Sequence, residues 1–293
     1  MNDWKIDFIT RDEFKEHVRG TVAKYGDKLK PFNVDRFNKN TIDPIKMIFD
    51  KSVYREDWAG IISNEIFRQR DKSTTNEIGY FHQRIFTYIK NCTVPDNGTS
   101  GGWDVIYDIP KGYEATKDDI VHRIYVEMKN KHNTMNSAAG SKTYIKMQNQ
   151  LLQDDDCVCF LVEAIAKKSQ NIAWETTVDG NKVSHKRIRR VSLDRFYEIV
   201  TGQKDAFYRI CMALPEVIKE VLDESDEQFE LPRDTVYDEL AATSKGRGLS
   251  NEDAIMMSMY MLGFGTYNGF SAANDWESFD LQIIPDSQYD SQN

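Results

Sequence analysis

Nine residues, Cys157-Val158-Cys159-Phe160-Leu161-Val162-Glu163-Ala164-Ile165, form a nearly continuous apolar run fenced by Asp154-Asp155-Asp156. A run of this length and composition suits a strand buried on both faces, which belongs at the centre of a sheet with helices above and below. What precedes it fits that placement. Two strand-like runs, 103–108 and 123–129, are joined by about a dozen polar residues, too few for a crossover helix, so they form an antiparallel pair. A helix from about Ser141 to Leu152 then leads into the apolar run. After it, Ile172 to Val178 turns at Asp179-Gly180-Asn181 into residues 182–190, and Asp-Gly is a strong hairpin signal. Helices follow at about 192–201 and 204–224.

The rest of the chain adds helices around this core. Residues 1–75 show helical apolar spacing at 11–18 and 57–67. Asn76 is a candidate cap for a further helix, in which positions 78, 81, 85 and 88–89 form the apolar stripe. The expectation is an α/β protein with a mixed central sheet flanked by helices. It has a helical N-terminal region (1–75), a core (76–225) and an acidic C-terminal extension (226–293).

Composition narrows the function classes. Of 293 residues 40% are hydrophobic and 29% charged, and no apolar run approaches the roughly 18 residues of a membrane span. The start of the chain lacks the apolar core of a signal peptide, so a cytoplasmic protein without a membrane partner is expected. The four cysteines are too few for a disulfide framework and have no zinc-ligand spacing around them. The net charge of −9 seems to exclude nucleic acid, but 17 acidic and only 4 basic residues lie from Glu216 onward. Residues 1–215 carry a slight positive excess, and local patches decide phosphate affinity.

The chemistry concentrates on the antiparallel pair. Residues i and i+2 share one face of a strand, so Glu127 and Lys129 project together while Val126 and Met128 point to the core. Asp104, preceded by Gly101-Gly102-Trp103, lies on the other strand. Two carboxylates and a lysine make a hard-metal site with a cation beside it, suited to Mg²⁺ and phosphodiester hydrolysis. This is the sequence form of the PD-(D/E)xK nuclease core, with Trp103-Asp104 in place of Pro-Asp. Asp104, Glu127 and the Met128 carbonyl would bind the metal, and Lys129 would orient a water or stabilise phosphate charge. Glu127 and Lys129 also fit a solvated strand edge. Glu77 is either an acid favouring the dipole in the first turn of its helix or a third carboxylate for the metal.

For DNA contact, the amide-, hydroxyl- and base-rich run Asn130, Lys131, His132, Asn133, Thr134 and Asn136 follows directly on the catalytic strand. His185, Lys186, Arg187, Arg189 and Arg190 form the densest basic cluster. Alternation sends Lys186, Ile188 and Arg190 one way and Arg187 and Arg189 the other, so the latter pair is a candidate for bidentate contacts to guanine.

The strings from Glu127 to Asn136 and from Lys142 to Leu151 resemble the SinI-type family of type II restriction endonucleases. Asn76 to Gln83, Gly102-Trp103-Asp104-Val105 and Arg195-Phe196-Tyr197 share in the resemblance, which spans roughly residues 60–215. It implies the PD-(D/E)xK fold, Mg²⁺ dependence and cleavage of double-stranded DNA within GGNCC or GGWCC. It also implies a homodimer matching the site's symmetry and a cognate cytosine methyltransferase in the host. Lys142 and Lys146, in the second string, join the DNA-contact candidates. A non-specific or repair-type nuclease of the same fold and a catalytically silent DNA-binding module are the alternatives.

Overall fold

The computed structural model describes residues 4–96, 99–225, 232–242 and 250–267. Asn97 and Gly98 of the turn-rich stretch, and residues 226–231, 243–249 and 268–293 of the expected acidic extension, lie outside the described residues. The chain divides into two compact units, Met1–Leu29 with Lys72–Glu230, and Lys30–Asp71 with Leu231–Asn293. No described helix is long and apolar enough to cross a membrane.

Helices α1 (Arg11–Lys28), α2 (Val34–Asn38), α3 (Pro44–Tyr54) and α4 (Trp58–Arg84) precede the sheet. The expected break at Asn76 is absent. Helix α4 runs without interruption through 27 residues, because neither proline nor a left-handed residue stops it there. An asparagine caps a helix only where the backbone has already left the helical conformation.

The described residues form one six-stranded sheet, ordered β1–β2–β3–β4–β6–β5. The strands are β1 (Cys92–Thr93), β2 (Val105–Thr116), β3 (Asp119–Lys131), β4 (Cys157–Ile165), β5 (Asn171–Val178) and β6 (Asn181–Ser192). The apolar run is indeed the interior strand. β4 pairs in parallel with β3 on one side and β6 on the other, and its residues 157–163 are all buried. Val158, Phe160 and Val162 enter the main core, while Cys159 and Leu161 enter a smaller core on the other face. Each such side chain contributes about 1.5–3 kcal/mol when fully buried, which holds β3 rigidly beside β4.

The antiparallel β2–β3 pair forms as expected, with Val105 opposite Val126. Its strands are longer than the sequence suggested, however, and only a tight turn at Lys117-Asp118 joins them. Pro110 and Gly112 read as loop residues but sit where the register shifts between Asp108 and Tyr113, with Gly112 at φ 73°. A bulge tolerates both, because it asks for no ladder N–H and permits a left-handed glycine. The β5–β6 hairpin turns at Asp179 and Gly180, both at positive φ, as an Asp-Gly turn requires.

Helix α5 (Ser137–Gln153) connects β3 to β4 and packs Tyr144 and Met147 into the smaller core with Trp103 and Trp174. It starts before the expected Ser141 because the Asn136 side chain caps it, accepting from Ala139 N at 2.8 Å. The main core is closed by α6 (Leu193–Thr201), α7 (Ala206–Asp223) and α1. Arg11 and Lys15 of α1 pair with Glu216 and Glu220 of α7 and with Glu224 just past its end.

In the second unit α8 (Val236–Ala242) and α9 (Asn251–Phe264) pack with α2, α3 and the start of α4 around Phe37, Met47, Ile62 and Met259. Ile255 and Met259 of α9 enter this core, with Met256 and Leu262 packed against it.

His17 of α1 is buried, with its Nε2 3.0 Å from the Phe81 carbonyl, and burial drives its pKa down to about 4, aided by Arg84 and His82. The unfolded chain takes up a proton near pH 6.5 that the fold refuses. Stability is therefore full above about pH 6.5 and falls as pH drops towards 4, by up to about 3 kcal/mol. Urea unfolding across this range should show that decline, and His17→Gln should make it shallower, leaving the share of His82, whose pKa burial also pushes down to about 4. Parallel curves for both proteins would refute this role.

Candidate active site

The site is built where β2 begins and β3 is about to end. Asp104 N donates to Val126 O at 2.9 Å, so Val126 turns its backbone polar groups towards β2. Met128, two residues on, turns its own the same way, just past the start of β2. Its N–H is taken by the Asp104 side chain, Oδ2 accepting at 2.7 Å, and its carbonyl lies along the same edge. Gln83 of α4 donates to the Asp104 carbonyl at 3.2 Å, fixing the entry to β2.

Glu127 and Lys129 share one face, as expected. Lys129 Nζ lies 2.7 Å from Glu127 Oε1, and Lys146 Nζ of α5 lies 2.8 Å from Oε2. The glycines before Trp103 are needed for their backbone: Gly101 and Gly102 have φ of 73° and 68°. This conformation presents the Gly102 carbonyl to Lys146 Nζ at 2.7 Å. Trp103 is buried and donates from Nε1 to Gln150 of α5 at 3.0 Å.

The two carboxylates differ electrostatically. Burial raises the Asp104 pKa, with the nearby Glu127 charge adding to it against the Met128 N–H and the two lysines. Burial also pushes Glu127 up, but Lys129 and Lys146 overrule it and leave it below its ordinary value. Asp104 thus holds a proton more readily, while Glu127 stays anionic.

Glu77 is not brought to this site. It lies well inside α4 and lines a separate cavity of about 380 Å³ with Glu16, His17, Tyr80 and Arg84. The face of α4 turned to the strands carries Thr75, whose carbonyl accepts from Asn130 Nδ2 at 3.0 Å, with Gly79 and Gln83. Residue 77 is about 200° around the helix from both 75 and 79. Among the described residues, no three His, Cys, Asp or Glu side chains gather as a metal cluster.

The DNA-contact candidates divide into two groups. Lys131, Asn133, Thr134, Asn136 and Lys142 are exposed around the end of β3 and the start of α5, beside Lys129. His132 and Arg190 turn inward: Arg190 Nε donates to the buried Glu163 Oε1 at 2.9 Å, and its Nη2 to the His132 carbonyl at 2.9 Å.

The expected guanine readers Arg187 and Arg189 are on the wrong face. Leu161 pairs Glu127 on one side and Arg190 on the other, so Arg190 shares the Glu127 face while Arg187 and Arg189 point to the opposite one. There Arg187 bonds Asp119, and Arg189 bonds the side chain and carbonyl of Asn171. Lys186 pairs with Asp119 at 2.9 Å, and His185 Nδ1 accepts from Arg187 N. Glu163, Gln83 and Gln150 escaped the sequence reading. Glu163 alone left a signal, as the one charge in the apolar run.

Comparison with known proteins decides the family. The model of the Eco47II restriction endonuclease family matches residues 6–223. This chain belongs to that family.

Type II restriction enzyme Sau96I of Staphylococcus aureus is 32% identical over 226 residues, covering 73% of this chain and 80% of that protein. Type II restriction enzyme Eco47II of Escherichia coli is 26% identical over 241 residues, covering 78% and 93%. The resemblance read from the sequence is upheld at the level of type II restriction enzymes, and the chain is an enzyme of that class. The match to the Eco47II family takes in the whole sheet and every candidate site residue.

Proposed function

We propose that this chain is a Mg²⁺-dependent type II restriction endonuclease of the PD-(D/E)xK kind, cutting double-stranded DNA within GGNCC or GGWCC as a homodimer. The observation that carries the reading is Glu127, kept anionic between two lysine ammoniums beside Asp104, whose Oδ2 is fixed by Met128 N. Two carboxylates and the Met128 carbonyl are an all-oxygen donor set. Mg²⁺ commonly uses one or two carboxylates and leaves other positions to water and phosphate, so this set fits it.

Bound there, Mg²⁺ would polarise the scissile phosphate and make a water more acidic. The chain's own groups do the rest. Asp104 serves as a ligand in its ionised form, and the Met128 N–H keeps its carboxylate aimed. Lys129 brings positive charge 2.7 Å from Glu127 Oε1, where it steadies the growing charge on phosphate oxygens or orients the attacking water. Lys131, Asn133, Thr134 and Lys142 supply backbone and base-edge partners at the lip. Two copies related by a two-fold axis would place one such site on each strand of a near-palindrome. A host methyltransferase would protect its own sites.

Digestion of a sequenced phage genome with Mg²⁺ tests this reading. Discrete fragments whose mapped ends share GGNCC or GGWCC are expected, with no cutting in chelator. A smear would favour a non-specific nuclease, and intact DNA a silent binding module.

A further inference from the structure

Lys146 lies on α5, away from the strands that carry Asp104, Glu127 and Lys129, yet three different groups hold its ammonium. Nζ is 2.8 Å from Glu127 Oε2, 2.7 Å from the Gly102 carbonyl and 4.1 Å from the centroid of the Trp103 ring. The ring is held in place by its own bond to Gln150, one helical turn further along α5. Tyr144 and Met147, buried on either side of Lys146, fix the helix face from which it reaches. A lysine that served only as a mobile phosphate contact would need none of this.

A carboxylate oxygen, a carbonyl and an aromatic face together make a cation-holding cradle. Its carboxylate is the one the proposed metal must use. Lys129 holds Oε1 and Lys146 holds Oε2, so a metal that reaches Glu127 from the Oε2 side asks for the oxygen that Lys146 holds.

We propose that Lys146 is a positioning residue that keeps Glu127 aimed, and that it competes with the divalent cation for Oε2. This rests on the reading of Asp104 and Glu127 as the metal-binding pair. When Oε2 is taken by the metal, the ammonium stays tethered by Gly102 and Trp103, within reach of the phosphate that enters beside it. Removing the charge therefore has opposite effects on two readouts. Metal binding tightens, because a competing cation is gone. Cleavage slows, because the carboxylate and the phosphate have lost the group that places them.

The test is calorimetric titration of Mn²⁺ into the DNA-free full chain, paired with plasmid cleavage, for the wild type, Lys146→Met and Lys146→Arg. Lys146→Met keeps the stem over Trp103 and should bind Mn²⁺ about three- to tenfold more tightly, as expected for losing one partly buried ion pair. It should cut at least about tenfold more slowly. Lys146→Arg retains the charge and should keep Mn²⁺ affinity near wild type. Unchanged or weaker Mn²⁺ binding by Lys146→Met would overturn the proposal. So would a uniform loss of DNA binding in Ca²⁺ at unchanged Mn²⁺ affinity, which would make Lys146 a phosphate contact. If Lys146→Met melts early, Lys146→Gln gives the same readouts. Glu127→Gln separates the two claims: if it cuts like wild type, the reading of the metal pair fails, whereas a dead Glu127→Gln with unmoved Mn²⁺ affinity in Lys146→Met defeats only the role of Lys146.

Discussion

Arg190→Ala is expected to lower the unfolding free energy by about 3–5 kcal/mol, the range for removing one partner of a buried ion pair. Glu163 is 1% exposed at the end of the central strand, and the Arg190 guanidinium, from the neighbouring β6, is its cation. The same guanidinium holds the His132 carbonyl and Nδ1, and His132 Nδ1 is itself 3.2 Å from Glu163 Oε2. Truncating Arg190 strands a carboxylate in the interior and releases the turn after β3. A double replacement, Glu163→Met with Arg190→Met, should recover most of the loss, since apolar side chains of similar size need no partner there. Urea unfolding of the three proteins checks this. A loss below about 1 kcal/mol in Arg190→Ala would mean the pair behaves like a surface contact.

The pair also shows what the sequence could and could not reveal. That residues 186, 188 and 190 oppose 187 and 189 was legible, because a strand's period is two. Which of those faces carries Glu127 was not. It depends on the register of three parallel strands, with Leu161 opposite both Glu127 and Arg190, and no local pattern encodes it. The densest basic cluster was therefore read as a DNA contact when Arg187, Arg189 and Arg190 all serve partners within the chain.

Elements with strong local patterns came through. The apolar run at 157–165, the Asp-Gly hairpin and the antiparallel acidic strands are each specified by residues within a few positions of one another. Where a polar residue has two roles, the reading failed. Asn76 lies in mid-helix while Asn136, taken for a DNA contact, is the cap, and Pro110 and Gly112 belong to a bulge. The phase of α4 was available in principle. With Gly79 and Gln83 facing the strands, Glu77 two residues before Gly79 must face away from them.

Glu127→Ala is the measurement that meets the central claim head on. Glu127 is the carboxylate that both lysines address, and it stands beside Asp104 on an edge already organised by the Met128 N–H. The variant removes the proposed metal ligand and leaves Lys129 and Lys146 without the carboxylate they pair with. Cleavage of a plasmid in Mg²⁺ under single-turnover conditions should fall at least about 10³-fold, some 4 kcal/mol of barrier. Binding to the same DNA in Ca²⁺ should stay near wild type and the protein should remain folded, since Glu127 belongs to none of the apolar cores. Cutting by Glu127→Ala at the wild-type rate would contradict the assignment of this site.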